Sequence, residues 1–178
     1  MMTIVNTDKS IIWRNLLDEA QRKCQASLPD VLFYYVASLL ERYVDHPEIA
    51  ERILAEAYLQ ANHLRQYERQ LSLQMLGDEC LLYAGFFPQQ TQKKHVAINY
   101  FIQLGQSAYL MISRCKKDLY DELASQFVLL TDILQTARGE PNLLPLEAYE
   151  RWQHTGSERA RQMLFLYTKA NSYFPRVK

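Results

Sequence analysis

The chain has 178 residues, 48% hydrophobic and 22% charged, with five glycines and six prolines, which excludes a disordered or fibrous protein and allows roughly two thirds of the extended surface to be buried around one core. Twenty basic residues balance twenty acidic ones, so net charge gives no basis for nucleic-acid binding. The balance is uneven, with 8 basic and 12 acidic side chains in residues 1–90 and the reverse in residues 91–178, a polarity that two packed halves can satisfy between themselves.

The opening MMTIVNTDKS has no basic stretch leading into an apolar one, and no window reaches the roughly 18 apolar residues of a membrane span. A cytoplasmic protein without a membrane span is expected. Cys24, Cys80 and Cys115 are odd in number and lack CxxC spacing, which argues against a disulfide scaffold or structural zinc and for a reducing compartment.

In chain order, Ser10 is placed as the cap of a first helix whose face is Ile12, Leu16, Leu17 and Ala20, ended by Leu28–Asp30. Pro29 starts a second helix, with a stripe of Leu32, Val36, Leu39 and Tyr43. Asp45, Pro47 and Glu48 make a helix start signal, and Ile49, Ile53, Leu54 and Ala57 carry a face as far as Leu59. A break at 61–63 leaves open whether 48–84 is one bent helix or two; Leu64, Leu71, Met75 and Leu82 line its later part.

The pattern stops at LLYAGFFPQQ. Gly85 is expected to turn left-handed as a C-cap, Phe86 or Phe87 to fold back on the preceding turn, and Pro88 to prevent continuation. Beyond it, Ala97, Phe101, Leu104, Ala108 and Met111 recur at helical spacing, and Leu119, Leu123, Phe127, Leu130, Leu134 and Ala137 continue that rhythm in one further helix. RGEPNLLP interrupts it. A short helix from Leu146 to about His154 and a last one over 157–172, capped by Ser157, complete the chain. No strand is expected, and the whole of 1–178 is read as one all-α domain, a compact bundle of about seven or eight helices.

No histidine has a glutamate three residues before it, so the paired ligand motif of a helical diiron centre is missing. His63 is the best placed for an axial haem ligand, although a surface or satisfied core histidine is the simpler reading. Cys80 sits at helical spacing from Leu73, Leu76 and Tyr83 and reads as a buried small hydrophobe. Asp78, between Met75 and Leu82 on an apolar stripe, must be hydrogen-bonded, paired or functional, because an isolated buried carboxylate is costly. A tyrosine or arginine from another helix is the expected partner, with Tyr100 brought back alongside it, while Glu79 is expected to face solvent.

Twelve tyrosines, among them Tyr34, Tyr35, Tyr100 and Tyr109, suit a ring-lined pocket, a packed core or an aromatic interface. Gly105, with Ser107 and Ala108, makes a small-residue patch for close helix approach. Lys93 and Lys94 are too brief a basic run for nucleic acid.

LGDECLLYAGFFP followed by INYFIQLGQSAYL resembles a family of small bacterial all-helical proteins of unknown function, over roughly residues 28–112. The resemblance implies a compact helical protein and a bacterial source, and it assigns no catalytic role, cofactor or substrate. Asp78, Cys80, Gly85, Phe86, Phe87, Tyr100, Gly105 and Tyr109 are therefore the candidate motif or ligand-binding residues, without assigned chemistry. Two readings stay open. One is a non-enzymatic helical interaction or regulatory protein, a homodimer or the binder of another protein. The other is a bundle that binds a small apolar or aromatic ligand near Asp78, with or without catalysis. No cofactor and no metal are assigned.

Overall fold

A computed structural model of the chain describes residues 3–45, 64–87, 97–113 and 117–170. Eight helices occupy them, with no strand among the described residues: α1 (Thr3–Cys24), α2 (Asp30–Asp45), α3 (Gln66–Gly85), α4 (Ile98–Ser113), α5 (Lys117–Ser125), α6 (Phe127–Arg138), α7 (Pro145–Thr155) and α8 (Glu158–Ala170). The expected all-α bundle is the fold that forms. The start signal at Asp45–Glu48, the face of 49–59, His63, Pro88, Lys93, Lys94 and Cys115 lie, wholly or in part, outside the described residues.

α3 is the central element. It packs along α4 and across α6, while α1 lies against α6 and α2, α5 folds back on α4, and α7 and α8 form a hairpin. Leu17, Leu32, Leu40, Leu73, Leu76, Leu81, Ile112, Leu123, Phe127 and Leu130 are buried in one shared core, each such side chain worth about 1.5–3 kcal/mol of burial. From Leu76 to Gly85 every residue of α3 is buried, so this half of the helix has no outer face.

That enclosure corrects several expectations. Leu64, Leu71 and Met75 point outward, and the inward line of α3 runs through Leu73, Leu76, Cys80 and Ala84. In a helix buried all round, apolar residues occur in every direction and their spacing no longer identifies one face. Glu79, expected in solvent, is buried for the same reason. α1 begins upstream of Ser10, which lies inside the helix, and its inward line is Trp13, Leu17, Ala20 and Cys24, with Ile12 outside.

The rhythm of residues 119–137 spans two helices. Gln126, at φ −93° and ψ 6°, breaks the run, yet Leu123, Phe127, Leu130 and Leu134 all remain buried across the break.

Gly85 is also a correction. It is the last residue of α3, and among the described residues those with positive φ are Gln25, Gly139 and Gly156. The helix closes instead on Phe86 in right-handed geometry, where the N–H groups of Phe86 and Phe87 both donate to the Leu82 carbonyl at 2.7 and 2.9 Å. What requires glycine at 85 is space, since a Cβ there would lie 2.7 Å from Leu134 Cβ. Gly105 serves the same purpose, as expected: a Cβ would crowd the Phe127 ring and lie 2.9 Å from Cys80 Cβ.

Candidate functional site

Three α-helices converge on Asp78. Tyr35 of α2 and Tyr109 of α4 each donate a hydroxyl hydrogen bond to Asp78 Oδ1, at 2.6 and 2.7 Å, and Arg42 of α2 reaches Oδ2 at 3.4 Å. Gln74 Nε2 donates to the Tyr35 hydroxyl at 3.3 Å. Gly77 makes the approach possible, because a Cβ there would overlap the Tyr109 ring. Asp78 is 6% exposed. Burial pushes its carboxyl above the usual range, opposed in turn by the Tyr35 and Tyr109 hydrogen bonds and by Arg42. The two phenols are pushed upward as well, first by burial and then by the neighbouring carboxylate, so they stay protonated as donors at neutral pH. Arg42 is half exposed, and water screens its share of the attraction.

The partners of Asp78 are thus Tyr35, Tyr109 and Arg42. Tyr100, placed beside Asp78 by sequence reasoning, is 41% exposed and sets its ring edge-on to Phe101 instead. Nine positions separate Tyr100 from Tyr109, two and a half turns, which puts them on opposite sides of α4. Cys80 is buried, and burial raises its thiol well above the ordinary value, the chemistry of an inert packing residue.

The two phenylalanines after Gly85 reach far beyond their own helix. Phe86 meets Trp13 of α1 edge-on with centroids 5.7 Å apart, Phe87 meets Tyr43 of α2 at 4.8 Å, and the two rings touch each other. The Arg138 guanidinium, at the end of α6, lies 5.2 Å from the Phe87 ring centre and donates to the Phe86 carbonyl. The helix exit is therefore also a junction of α1, α2, α3 and α6, held by ring contacts and a cation over a π face.

A second buried polar cluster was not singled out from sequence. Asp132 of α6 accepts from Ser157 Oγ at 2.7 Å and from the Arg159 backbone N–H at 3.2 Å, and Ser157 caps α8 through the Ala160 N–H at 3.1 Å. The carboxylate thus sits at the positive end of α8. Gln135 Oε1 takes Arg151 Nη1 at 2.7 Å and Arg159 Nη1 at 3.1 Å, while its Nε2 donates to the Ala84 carbonyl at 2.8 Å. Burial raises the Asp132 carboxyl and lowers the Arg151 guanidinium, the latter helped by the like charge of Arg159. The available signal was Thr131, Asp132 and Gln135 interrupting the apolar run of α6. Beside the cluster, a cleft of about 290 Å³ opens between α1, α6 and α8, with Cys24, Leu129 and Met163 in its wall.

The cluster also fixes how α7 lies. Its inward line is Ala148, Arg151 and Thr155, with Arg151 tied to Gln135. Leu146, Tyr149 and Trp152, three positions apart, run from the far side of α7 round towards Ala148 and are exposed by 67%, 46% and 41%, and Leu144 just before the helix is exposed by 63%. Tyr149 and Trp152 hold each other edge-on with centroids 6.4 Å apart. α7 therefore packs through Ala148 and the Arg151 guanidinium and leaves Leu146, Tyr149 and Trp152 substantially exposed, an apolar surface larger than a solvent-facing helix needs.

No group of three or more metal-ligating side chains is found among the described residues, and no described helix is long and apolar enough to cross a membrane. Comparison with models of protein families, with curated proteins and with solved structures finds no match to this chain.

Proposed function

We propose that this chain is a non-enzymatic helical interaction protein whose working surface is the outer face of α7. The observation that carries the reading is the exposure of three large apolar side chains on one helix: Leu146, Tyr149 and Trp152 reach solvent while Arg151 is used inside. Exposed apolar groups on one helical line, centred on Tyr and Trp, are the composition of binding hot spots. Both oxygens of Asp78 are already taken by Tyr35, Tyr109 and Arg42, which favours this reading over a small-ligand site there and gives Asp78 the role of a brace between α2, α3 and α4. The free thiols of Cys24 and Cys80 fit the reducing, cytoplasmic setting, and the motif resemblance supplies the bacterial source.

A photoreactive benzoyl-phenylalanine incorporated in living cells tests the surface, once at Gln153 on α7 and once at Gln103 on α4, both exposed. Discrete polypeptide adducts are expected from position 153 and not from 103, and they should vanish when Leu146 and Trp152 are replaced by serine. Absence of any polypeptide adduct at 153 would overturn the reading.

A further inference from the structure

We propose that the cleft between α1, α6 and α8 binds a small zwitterion, an α-amino acid with an apolar side chain, whose ammonium group meets Asp132 and whose carboxylate meets Arg159. None of Leu146, Tyr149 and Trp152 enters the wall of this cleft, so the site stands or falls separately from the α7 surface.

Two buried opposite charges lie at the cleft without meeting. Asp132 is 3% exposed and Arg159 8%, and both belong to the cleft wall. Charges taken that far out of water are ordinarily paired side chain to side chain. Here Asp132 Oδ2 is joined to the Arg159 backbone N–H at 3.2 Å, and among the described residues no ion pair links the Arg159 guanidinium to a carboxylate. Three hydrogen bonds hold that guanidinium, all to neutral oxygens: Gln135 Oε1 at 3.1 Å and the carbonyls of Glu140 and Pro141 at 3.1 and 3.2 Å. A guanidinium has five N–H groups, and a carboxylate with one donor on each oxygen, as Asp132 has, can accept further bonds. Both charges therefore keep hydrogen-bonding capacity.

The rest of the wall narrows the ligand. Its other charged side chains are already matched, Lys23 by Glu19 at 2.7 Å, Glu140 by Arg138 at 3.3 Å and Glu158 by Arg161, which leaves one acid and one base. A ligand of single charge would satisfy one of them and lie beside the like charge of the other, whereas a zwitterion satisfies both. Cys24 shows that the two charges act at one place. Burial raises its thiol first, the Thr136 hydrogen bond opposes this, and the Asp132 carboxylate and Arg159 guanidinium then pull the same sulfur in opposite directions. Cys24, Leu129 and Met163 supply the apolar part of the wall, and a volume of about 290 Å³ is at the lower end for small-molecule sites. A single amino acid suits that space better than a peptide or a nucleotide.

Methyl NMR of the full chain, labelled at the methionine methyls, tests the site, because Met163 lies in the wall while Met75 points outward on α3. The probes are L-leucine, 4-methylpentanoate and 3-methylbutylamine, which carry the same side chain with both charges, the acid alone and the amine alone. L-Leucine should shift the Met163 resonance, assigned with Met163→Leu, in a saturable way and leave Met75 in place. Each single-charge analogue should bind about tenfold more weakly or worse. Met163→Trp, which fills the cleft from its apolar side, should abolish leucine binding measured by calorimetry, with circular dichroism unchanged. A Met163 resonance unmoved by L-leucine, L-valine and L-methionine at about 10 mM overturns the proposal. So does an equal response to leucine and either analogue, or undiminished leucine binding by a folded Met163→Trp chain. The adducts expected from position 153 are unaffected by any of these results, so either reading can fail alone.

Discussion

Replacing Tyr109 by phenylalanine removes a single oxygen from the interior and leaves a ring of the same shape. Tyr109 is fully buried, its ring 5.9 Å from Phe127 and 6.0 Å from Tyr120 between centroids, and those contacts are kept by phenylalanine. What is lost is the 2.7 Å hydrogen bond to Asp78, leaving Oδ1 with Tyr35 alone. A hydrogen bond to a charged group contributes about 1.5–3 kcal/mol, and a buried carboxylate left short of donors retains its desolvation cost. The retained Tyr35 bond and the exposed Arg42 moderate the loss, so the expected destabilisation at neutral pH is about 2 kcal/mol, a fall in Tm of roughly 4–8 °C for a chain of this size. Urea unfolding followed by circular dichroism measures it, with an unchanged m-value as the sign that only the native contact was altered. In an Asp78→Asn background the same change should cost at least about 1 kcal/mol less, because the two residues act on one contact. A loss under about 0.5 kcal/mol in the wild-type background would refute the claim that this hydroxyl holds α4 to α3.

The pH dependence has a defined sign. Asp78 and Asp132 both titrate above their ordinary value in the folded chain, so the folded state binds these protons more readily than the unfolded one, and their contribution is present at the acid side and lost as pH rises through the raised values. Wild-type stability relative to Asp78→Asn should therefore increase as pH is lowered from about 7 to about 4, measured by urea melts at each pH; a relative decrease would mean that the ion pair with Arg42 outweighs burial. Gly105→Ala should destabilise by about 2 kcal/mol despite the better helix propensity of alanine, through overlap with Phe127 and Cys80. Gly139→Ala, at φ 75° with no neighbour within 4 Å, should cost about 1 kcal/mol by backbone strain alone. Equal or reversed effects in denaturant melts would show that the close approach at Gly105 is unimportant.

The sequence was most informative where a helix has one wet side. The stripe of α2 could be read from spacing because Tyr34, Ser38 and Arg42 mark one exposed side; the core line of α5 and α6 was read from spacing alone, since Thr131, Asp132 and Gln135 of α6 are buried too. α3 defeated that method. Its buried half has no polar side to define direction, so Leu71 and Met75 were assigned inward when they point out, and Asp78 was found to be buried although the stripe used to argue it was the wrong one. Gly85 was assigned to the correct helix end for the wrong reason, since glycine followed by aromatic residues and proline has the composition of a left-handed cap, and the crowding by Leu134 depends on a helix some fifty residues away. Tyr109 and Tyr35 could not be preferred over Tyr100 as partners of Asp78 for the same reason. The outward apolar side of α7 was the least legible feature. A line of Leu, Tyr and Trp reads as a core face until Arg151 is seen bonded to Gln135.

The junction after Gly85 also bears on the order in which the chain can fold as it is made. Phe86 is tied to Arg138 across 52 residues, and Cys24 to Thr136 across 112. Helical bundles usually gather neighbours first and reach their native state quickly through local contacts. Here α1 can meet α2 as soon as that helix is made, but it does not meet α6 until most of the described residues have been synthesised. A nascent chain ending before Phe127 lacks the α6 part of the surface that receives α1 and covers α3 at Gly85, so that apolar surface stays open until α6 is made.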